Sequence, residues 1–179
     1  RTLALGPSTC AEWRMATITF RGTPVQTVGE LPAVGTKAPA FTLTGADLAD
    51  VTSDALAGQR VVLNIFPSLD TGVCATSVRE FNQRAAALDN AVVVCASADL
   101  PFAAGRFCAA EGIDRVVTGS SFRSSFGPDY AVPQADVPLA GVLARAVVVL
   151  DTDGTVLYTE LVPEIGQEPD YAAAIAALS

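Results

Sequence analysis

Two short apolar runs constrain this chain most: Val61-Val-Leu-Asn-Ile-Phe66 and Ala91-Val-Val-Val-Cys-Ala96. Both are rich in β-branched residues and lack polar alternation, so each reads as a central strand covered on both faces. Between them Val78, Phe81, Ala85 and Leu88 recur at helical spacing, which predicts an amphipathic helix over about 74–88. Pro101 suits an early helical position, and Phe102–Ala110 reads as a short helix stopped by Gly112. Val116–Val117 offers a third strand. Asp151-Thr-Asp-Gly154 is a hairpin signal between Arg145–Leu150 and Thr155–Leu161. Pro169 opens a closing helix through about Leu178, with Tyr171, Ile175 and Leu178 on one face. Upstream, Ile18, Phe20 and Val25 alternate around Gly22, predicting a β-hairpin within Ala16–Val28. A loop marked by Pro32, Gly35 and Pro39 follows, then a short strand at Phe41-Thr-Leu. The order β, α, β, α, β-β, α predicts an α/β fold, a mixed sheet flanked by helices with an N-terminal β-hairpin.

A chain of 179 residues, half of them hydrophobic, is long enough for one domain with a substantial core. Met15 is the single methionine and stands just before the ordered pattern. Residues 1–14 therefore read as a vector-derived extension and 15–179 as a single domain. The opening residues lack the continuous apolar stretch of a signal peptide, and no run approaches the length of a transmembrane helix. With 11 basic against 19 acidic residues, the formal charge of −8 argues against nucleic acid or anionic membrane as a partner.

Two absences narrow the chemistry further. There is no histidine, which removes Ser-His-Asp and Cys-His pairs and His-ligated metal sites. The single lysine, Lys37, has no glycine-rich loop around it to cradle phosphate. The cysteines, Cys10, Cys74, Cys95 and Cys108, are too scattered for a disulfide scaffold, and no pair has the spacing of a zinc ribbon or dithiol motif. A reducing, cytoplasmic setting fits that usage, and catalysis is left to Cys, Asp/Glu, Arg and hydroxyls.

The informative stretch is Pro67-Ser-Leu-Asp-Thr-Gly-Val-Cys74, between the end of a buried strand and the first turn of a helix. A cysteine there faces unpaired backbone N–H groups and the positive end of the helix dipole, which favour thiolate over thiol. Thr71, three residues earlier, can set its hydroxyl beside the sulfur, and Pro67 can wall the pocket from water. The plainer reading of Cys74 is a small hydrophobe packed in a core. Cys95 lies inside an apolar run and reads as an inert core thiol. Asp70, the nearest carboxylate, reads as turn chemistry. Asp151, Asp153 and Gly154 form a turn with too few ligands for calcium.

The pattern Pro67-x-x-x-Thr71-x-x-Cys74 resembles the peroxiredoxin active-site motif. The wider Asn64–Arg79 block is similar to the bacterial thiol peroxidase branch, the atypical two-cysteine peroxiredoxins. Ser97–Ala103, Arg106–Gly112, Leu143–Val149 and Glu168–Tyr171 extend the resemblance in the same order. It implies a thioredoxin-like fold with Cys74 as the peroxidatic cysteine. Thr71 would supply the hydroxyl that bonds thiolate and peroxide, Arg145 the arginine that stabilises thiolate and transition state, and Pro67 the shielding proline. Cys108 would be the resolving cysteine, forming a disulfide with Cys74 of the same subunit that thioredoxin reduces. The resemblance also implies hydroperoxide substrates, alkyl hydroperoxides among them, a homodimer, a role in antioxidant defence, and no cofactor: no metal, haem or flavin.

Some alternatives stay open at this stage. Arg145, directly before the apolar Ala146–Leu150, is in an expensive place for an idle charge, yet a strand-end salt bridge is the plain reading. Cys108 can serve merely in helix packing, and spacing does not prove that its sulfur meets that of Cys74. If the reduced fold keeps the two apart, the helix or the Cys74 loop must unwind locally during the cycle, and such opening is the expectation. A one-cysteine peroxidase with Cys108 idle is one rival. A non-catalytic thioredoxin-fold binding module or redox sensor is another. A dithiol oxidoreductase is weaker, because no Cys-x-x-Cys exists.

Overall fold

A computed structural model describes residues 14–179; Cys10 and residues 1–13 of the expected extension lie outside the described residues. The N-terminal hairpin forms as β1 (Thr17–Phe20) and β2 (Thr23–Gln26), with Arg21 and Gly22 at positive φ in the turn. Strands β3 (Thr42–Thr44) and β4 (Asp50–Thr52) follow. The centre comprises β5 (Arg60–Ile65), α1 (Gly72–Ala85), β6 (Ala91–Ser97), α2 (Pro101–Glu111) and β7 (Val117–Ser120). A single helical turn, α3 (Phe126–Asp129), leads to β8 (Ala146–Leu150), β9 (Val156–Leu161) and the closing α4 (Tyr171–Ala176).

Among the described residues, seven strands form one sheet in the order β4-β3-β7-β6-β5-β8-β9. β5, β6 and β7 run parallel, whereas β8 is antiparallel to β5 and β9 to β8. The sheet is therefore mixed, as the element order requires. Pleating sends Val61, Leu63 and Ile65 of β5, with Ala146, Val148 and Leu150 of β8, to one face, which Phe41, Phe126 and Tyr130 close. Val62, Val93, Cys95, Val147 and Val149 face the other way, onto Val78 and Phe81 of α1, Ala104 of α2, and Tyr171 and Ala174 of α4. Burial on both faces is why the central strands are almost continuously apolar.

The differences from expectation lie at ends and in short elements. α1 starts at Gly72, two residues before the expected start at about 74, because its cap is Thr71 and a helix begins at its cap. It ends at Ala85, and residues 86 and 87 continue only as turn. α2 stops where expected, with Gly112 in the left-handed region at φ 66° and its N–H bonded to the Cys108 carbonyl. β4, the 3₁₀ turn Asp54–Leu56 and α3 were not anticipated. Three- and four-residue elements are too short to carry a periodic signal.

Cys95 is buried, and burial pushes its thiol up to about 12 from an ordinary value of 9.0. The unfolded chain therefore loses this proton first as pH rises. Stability falls from about pH 9 toward 12, by about 1.4 kcal/mol per pH unit for one such group. Urea-unfolding midpoints between pH 8 and 10 are expected to fall with pH, and Cys95→Ala to flatten that slope, leaving the part due to Cys108 and, toward pH 10, to Tyr130, Tyr158 and Tyr171, whose hydroxyls burial also pushes up.

Candidate active site

Thr71 occupies the N-cap of α1 with extended backbone angles, and Cys74 is the third helical residue. A capping threonine normally accepts the backbone N–H two or three residues on. Here the side chain makes no cap hydrogen bond, and the Thr71 hydroxyl instead donates to Cys74 Sγ at 2.7 Å. The Ser68 carbonyl lies 3.1 Å from the same oxygen and Ser68 also accepts the Thr71 N–H, which holds the side chain in place. A local stabilising bond of about 1 kcal/mol is diverted from the backbone to the sulfur.

Arg145 immediately precedes β8, in pleat phase with Val147 and Val149, so its side chain enters the helix-covered face. It is only 2% exposed. Its Nη2 donates to Cys74 Sγ at 3.3 Å, while Nε and Nη2 donate to the Ile165 carbonyl at 3.0 and 2.9 Å. Nη1 is buried without a partner. Among the described residues no carboxylate lies within salt-bridge distance of Arg145, so the strand-end ion pair is not formed. A buried cation without an anion costs several kcal/mol, and the group it touches that can carry negative charge is the Cys74 sulfur.

The carbonyl that orients Arg145 is itself anchored by the N-terminal hairpin. The Ile165 N–H donates to the Thr19 carbonyl, and the Thr19 N–H to that of Pro163. The intervening Glu164 carboxylate accepts from the Thr19 hydroxyl and the N–H groups of Arg21 and Gly22. These hydrogen bonds, the Thr19 hydroxyl foremost, hold its carboxyl down at about 2.

Cys74, Thr71 and Arg145 thus converge on one fully buried sulfur. Pro67 is half-buried at the end of β5, on the same connection. Cys108 lies in the last turn of α2, half-buried; burial pushes its thiol up, against a hydrogen bond from Thr118. Cys74, Cys95 and Cys108 are all free. Asp70 is exposed and lies 3.9 Å from Arg106. Among the described residues no three His, Cys, Asp or Glu side chains cluster as a metal site, and no helix is long and apolar enough to cross a membrane.

Comparison with known proteins adds what geometry alone does not. The redoxin family model matches residues 33–175. The chain is 64% identical over 164 residues to the thiol peroxidase of Mycobacterium tuberculosis, an alignment covering 92% of this chain and 99% of that protein. The chain belongs to the redoxin family, in its bacterial thiol peroxidase group. The thiol peroxidase of Corynebacterium glutamicum is 54% identical over 165 residues, with 92% and 100% covered. A solved peroxiredoxin-like protein from Aquifex aeolicus superimposes with a TM-score of 0.87 at 37% identity, over 92% of this chain and 97% of that one. The expected thioredoxin-like architecture holds, and the chain is a thiol-dependent peroxidase.

Sequence reasoning did not foresee three contributors to the site's surroundings. Ile165 acts through its backbone carbonyl, which no side-chain pattern reveals. Asn64 is a buried amide donating to Ser77, whose hydroxyl donates to the Cys74 carbonyl; a polar residue inside an apolar strand was the available sign. Asp99 binds the loop before Thr71 and could have been sought as a carboxylate heading a helix.

Proposed function

We propose that this peroxidase reduces hydrogen peroxide and alkyl hydroperoxides through Cys74, resolves the product with Cys108, and is returned to the dithiol by thioredoxin. The observation that carries the reading is the buried Arg145, which donates to the Cys74 sulfur and, among the described residues, has no carboxylate within reach. Two donors, from Thr71 and Arg145, support negative charge on the sulfur in a water-poor site. The free Nη1 donor of Arg145 can take up charge developing on the peroxide as its O–O bond lengthens. Attack by the Cys74 thiolate on the terminal oxygen transfers that oxygen to sulfur and releases alcohol or water. Pro67 limits water access in this reading. No metal, haem or flavin takes part.

The sulfenic acid then condenses with the Cys108 thiol, releasing water and forming the disulfide. Cys74 lies at the head of α1 and Cys108 in the last turn of α2, so α2 opens locally before the sulfurs meet. Residues 15–179 form the catalytic domain on this reading, working in the reducing cytoplasm as a homodimer. Leu100, Phe102 and Phe122, large apolar side chains exposed near the head of α2, suit an interface of that kind.

Mass spectrometry of reduced protein treated with one equivalent of cumene hydroperoxide tests the pairing. A Cys74–Cys108 disulfide is expected, replaced in Cys108→Ser by sulfenic and sulfinic Cys74. Turnover with thioredoxin that survives Cys108→Ser unchanged would favour a one-cysteine cycle instead.

The opening of α2 has its own test. Gly105 lies mid-helix, and a methyl there would meet Ala46 Cβ at an ordinary 3.6 Å. Gly105→Ala should stabilise the helix by about 0.5–1 kcal/mol. Quenched-flow measurements are expected to show disulfide formation slowed about two- to five-fold, with the first oxidation of Cys74 unchanged.

A further inference from the structure

The connection before Cys74 and the head of α2 are tied together by one side chain. Asp99 is half-buried between the end of β6 and Leu100, the N-cap of α2. Its Oδ1 accepts from the Ser68 hydroxyl at 2.8 Å, and its Oδ2 accepts from the Leu69 N–H at 2.7 Å and the Ser97 hydroxyl at 2.8 Å. The Ser120 hydroxyl donates to the Asp99 carbonyl and fastens the same point to β7. Ser68, in turn, accepts the Thr71 N–H through its carbonyl. Hydrogen bonds therefore run from the threonine that touches the Cys74 sulfur to the start of the helix that carries Cys108.

The other polar ties are exposed or lie at the far end of α2. Arg79–Glu111 at 2.8 Å and Arg106–Asp70 at 3.9 Å are solvent-facing pairs, a class of interaction that contributes little, and Asn82 of α1 accepts from the Asp114 and Arg115 N–H groups only beyond the end of α2. α2 itself is loosely seated: Pro101 and Ala104 are its buried residues, whereas α1 buries Cys74, Ala75, Ser77, Val78 and Phe81. Few buried apolar contacts mark a segment that opens at low cost. Hydrogen bonds to an ionised carboxylate are the stronger kind, so Asp99 holds the larger part of what keeps the two segments together.

We propose that Asp99 is a positioning residue whose clasp on Ser68 and Leu69 sets how oxidised Cys74 partitions between disulfide formation and further oxidation. The proposal rests on the reading of Cys108 as the resolving thiol. In the first step the Cys74 thiolate takes one oxygen from ROOH, giving sulfenate and ROH. In the open state the sulfenic acid condenses with the Cys108 thiol, forming the S–S bond and releasing water. In the closed state the sulfenate remains within the peroxide site, where a second ROOH transfers another oxygen, giving sulfinate and a second ROH. A tight clasp favours the second fate, and a loose one favours the disulfide.

Losing one charged hydrogen bond raises the open population about ten-fold, and the closed state remains the major one. Asp99→Asn and Ser68→Ala are therefore expected to speed disulfide formation about ten-fold and to lower the sulfinate-to-disulfide ratio by a similar factor. The first oxidation of Cys74 should change by less than about three-fold, because the closed state still dominates. Ser68→Ala keeps the backbone carbonyl that Thr71 uses, so it reports on the clasp even if Asp99→Asn folds poorly. Val148→Ala, in the core on the far face of the sheet, lowers global stability and should leave the ratio alone. The experiment is quenched-flow oxidation of the full chain with cumene hydroperoxide, with thiol alkylation and intact-mass counting of sulfinate and disulfide. A ratio within about two-fold of wild type in both variants, or an equal fall in Val148→Ala, overturns the proposal. Absence of any Cys74–Cys108 disulfide in the wild type overturns instead the reading beneath it.

Discussion

Cys74→Ser is expected to lower the rate of hydroperoxide reduction by on the order of 10⁴-fold or more, to the background of ordinary thiols. Serine nearly matches cysteine in shape, and its hydroxyl can accept from both Thr71 and Arg145, so the fold should survive. What disappears is the sulfur that can accept the peroxide oxygen and be reduced again. Single-turnover peroxide consumption by fully reduced protein reads this directly, with urea unfolding beside it to show that the variant is folded. Residual activity within ten-fold of wild type would move the reaction to another thiol, of which Cys108 is the accessible one among the described residues.

Arg145→Leu should separate stability from activity. The guanidinium supplies one of two donors to the sulfur and holds the free Nη1 donor in the same pocket. Removing one such preorganised donor costs on the order of 10²–10³ in rate. The cation is nonetheless buried with no carboxylate partner among the described residues, so its removal relieves a desolvation cost that offsets the hydrogen bonds lost at the Ile165 carbonyl. We therefore expect the second-order rate with hydroperoxide to fall by about 10²–10³ while the urea midpoint stays level or rises. Arg145→Lys should recover little, because a single ammonium cannot reproduce the fork that serves the sulfur and the Ile165 carbonyl together. A rate within about three-fold of wild type, coupled to lost stability, would make Arg145 a structural anchor only. Stopped-flow kinetics and equilibrium unfolding on the same samples decide between the two.

How much of the site was legible depended on how far apart in the chain its parts lie. Pro67, Thr71 and Cys74 share one strand-to-helix connection, where the end of an apolar run and the start of a helical repeat can be read from neighbouring residues. The Thr71 hydroxyl beside the sulfur was legible there too, from its spacing; only the folded backbone shows that it turns to the sulfur in place of the cap N–H. Arg145 was conspicuous as a charge before an apolar strand, yet a strand-end salt bridge stayed open as an alternative until its surroundings were seen. Asn64 and Asp99 left fainter traces, one polar residue in a buried strand and one carboxylate before a helix. Ile165 left none, since a backbone carbonyl has no signature in composition.

By itself the sequence determined the α/β class and the placing of a cysteine at the head of a helix, because burial on two faces and helical periodicity are properties of consecutive residues. It also ruled out histidine-based chemistry, since a missing residue type is missing in every fold. The tertiary structure decided what the cysteine can do. Arg145 lies 71 residues from Cys74 and reaches it because β8 pairs antiparallel with β5, with Asn64 opposite Val147, and pleat parity turns residues 145, 147 and 149 toward α1. The same kind of long-range placement sets Asp99 against Ser68 and Leu69, and the N-terminal hairpin against the segment carrying Ile165. Strand register and pleat parity are cooperative outcomes of packing the whole sheet, so a one-residue slip would turn the guanidinium to the opposite face and leave the thiol without its cation.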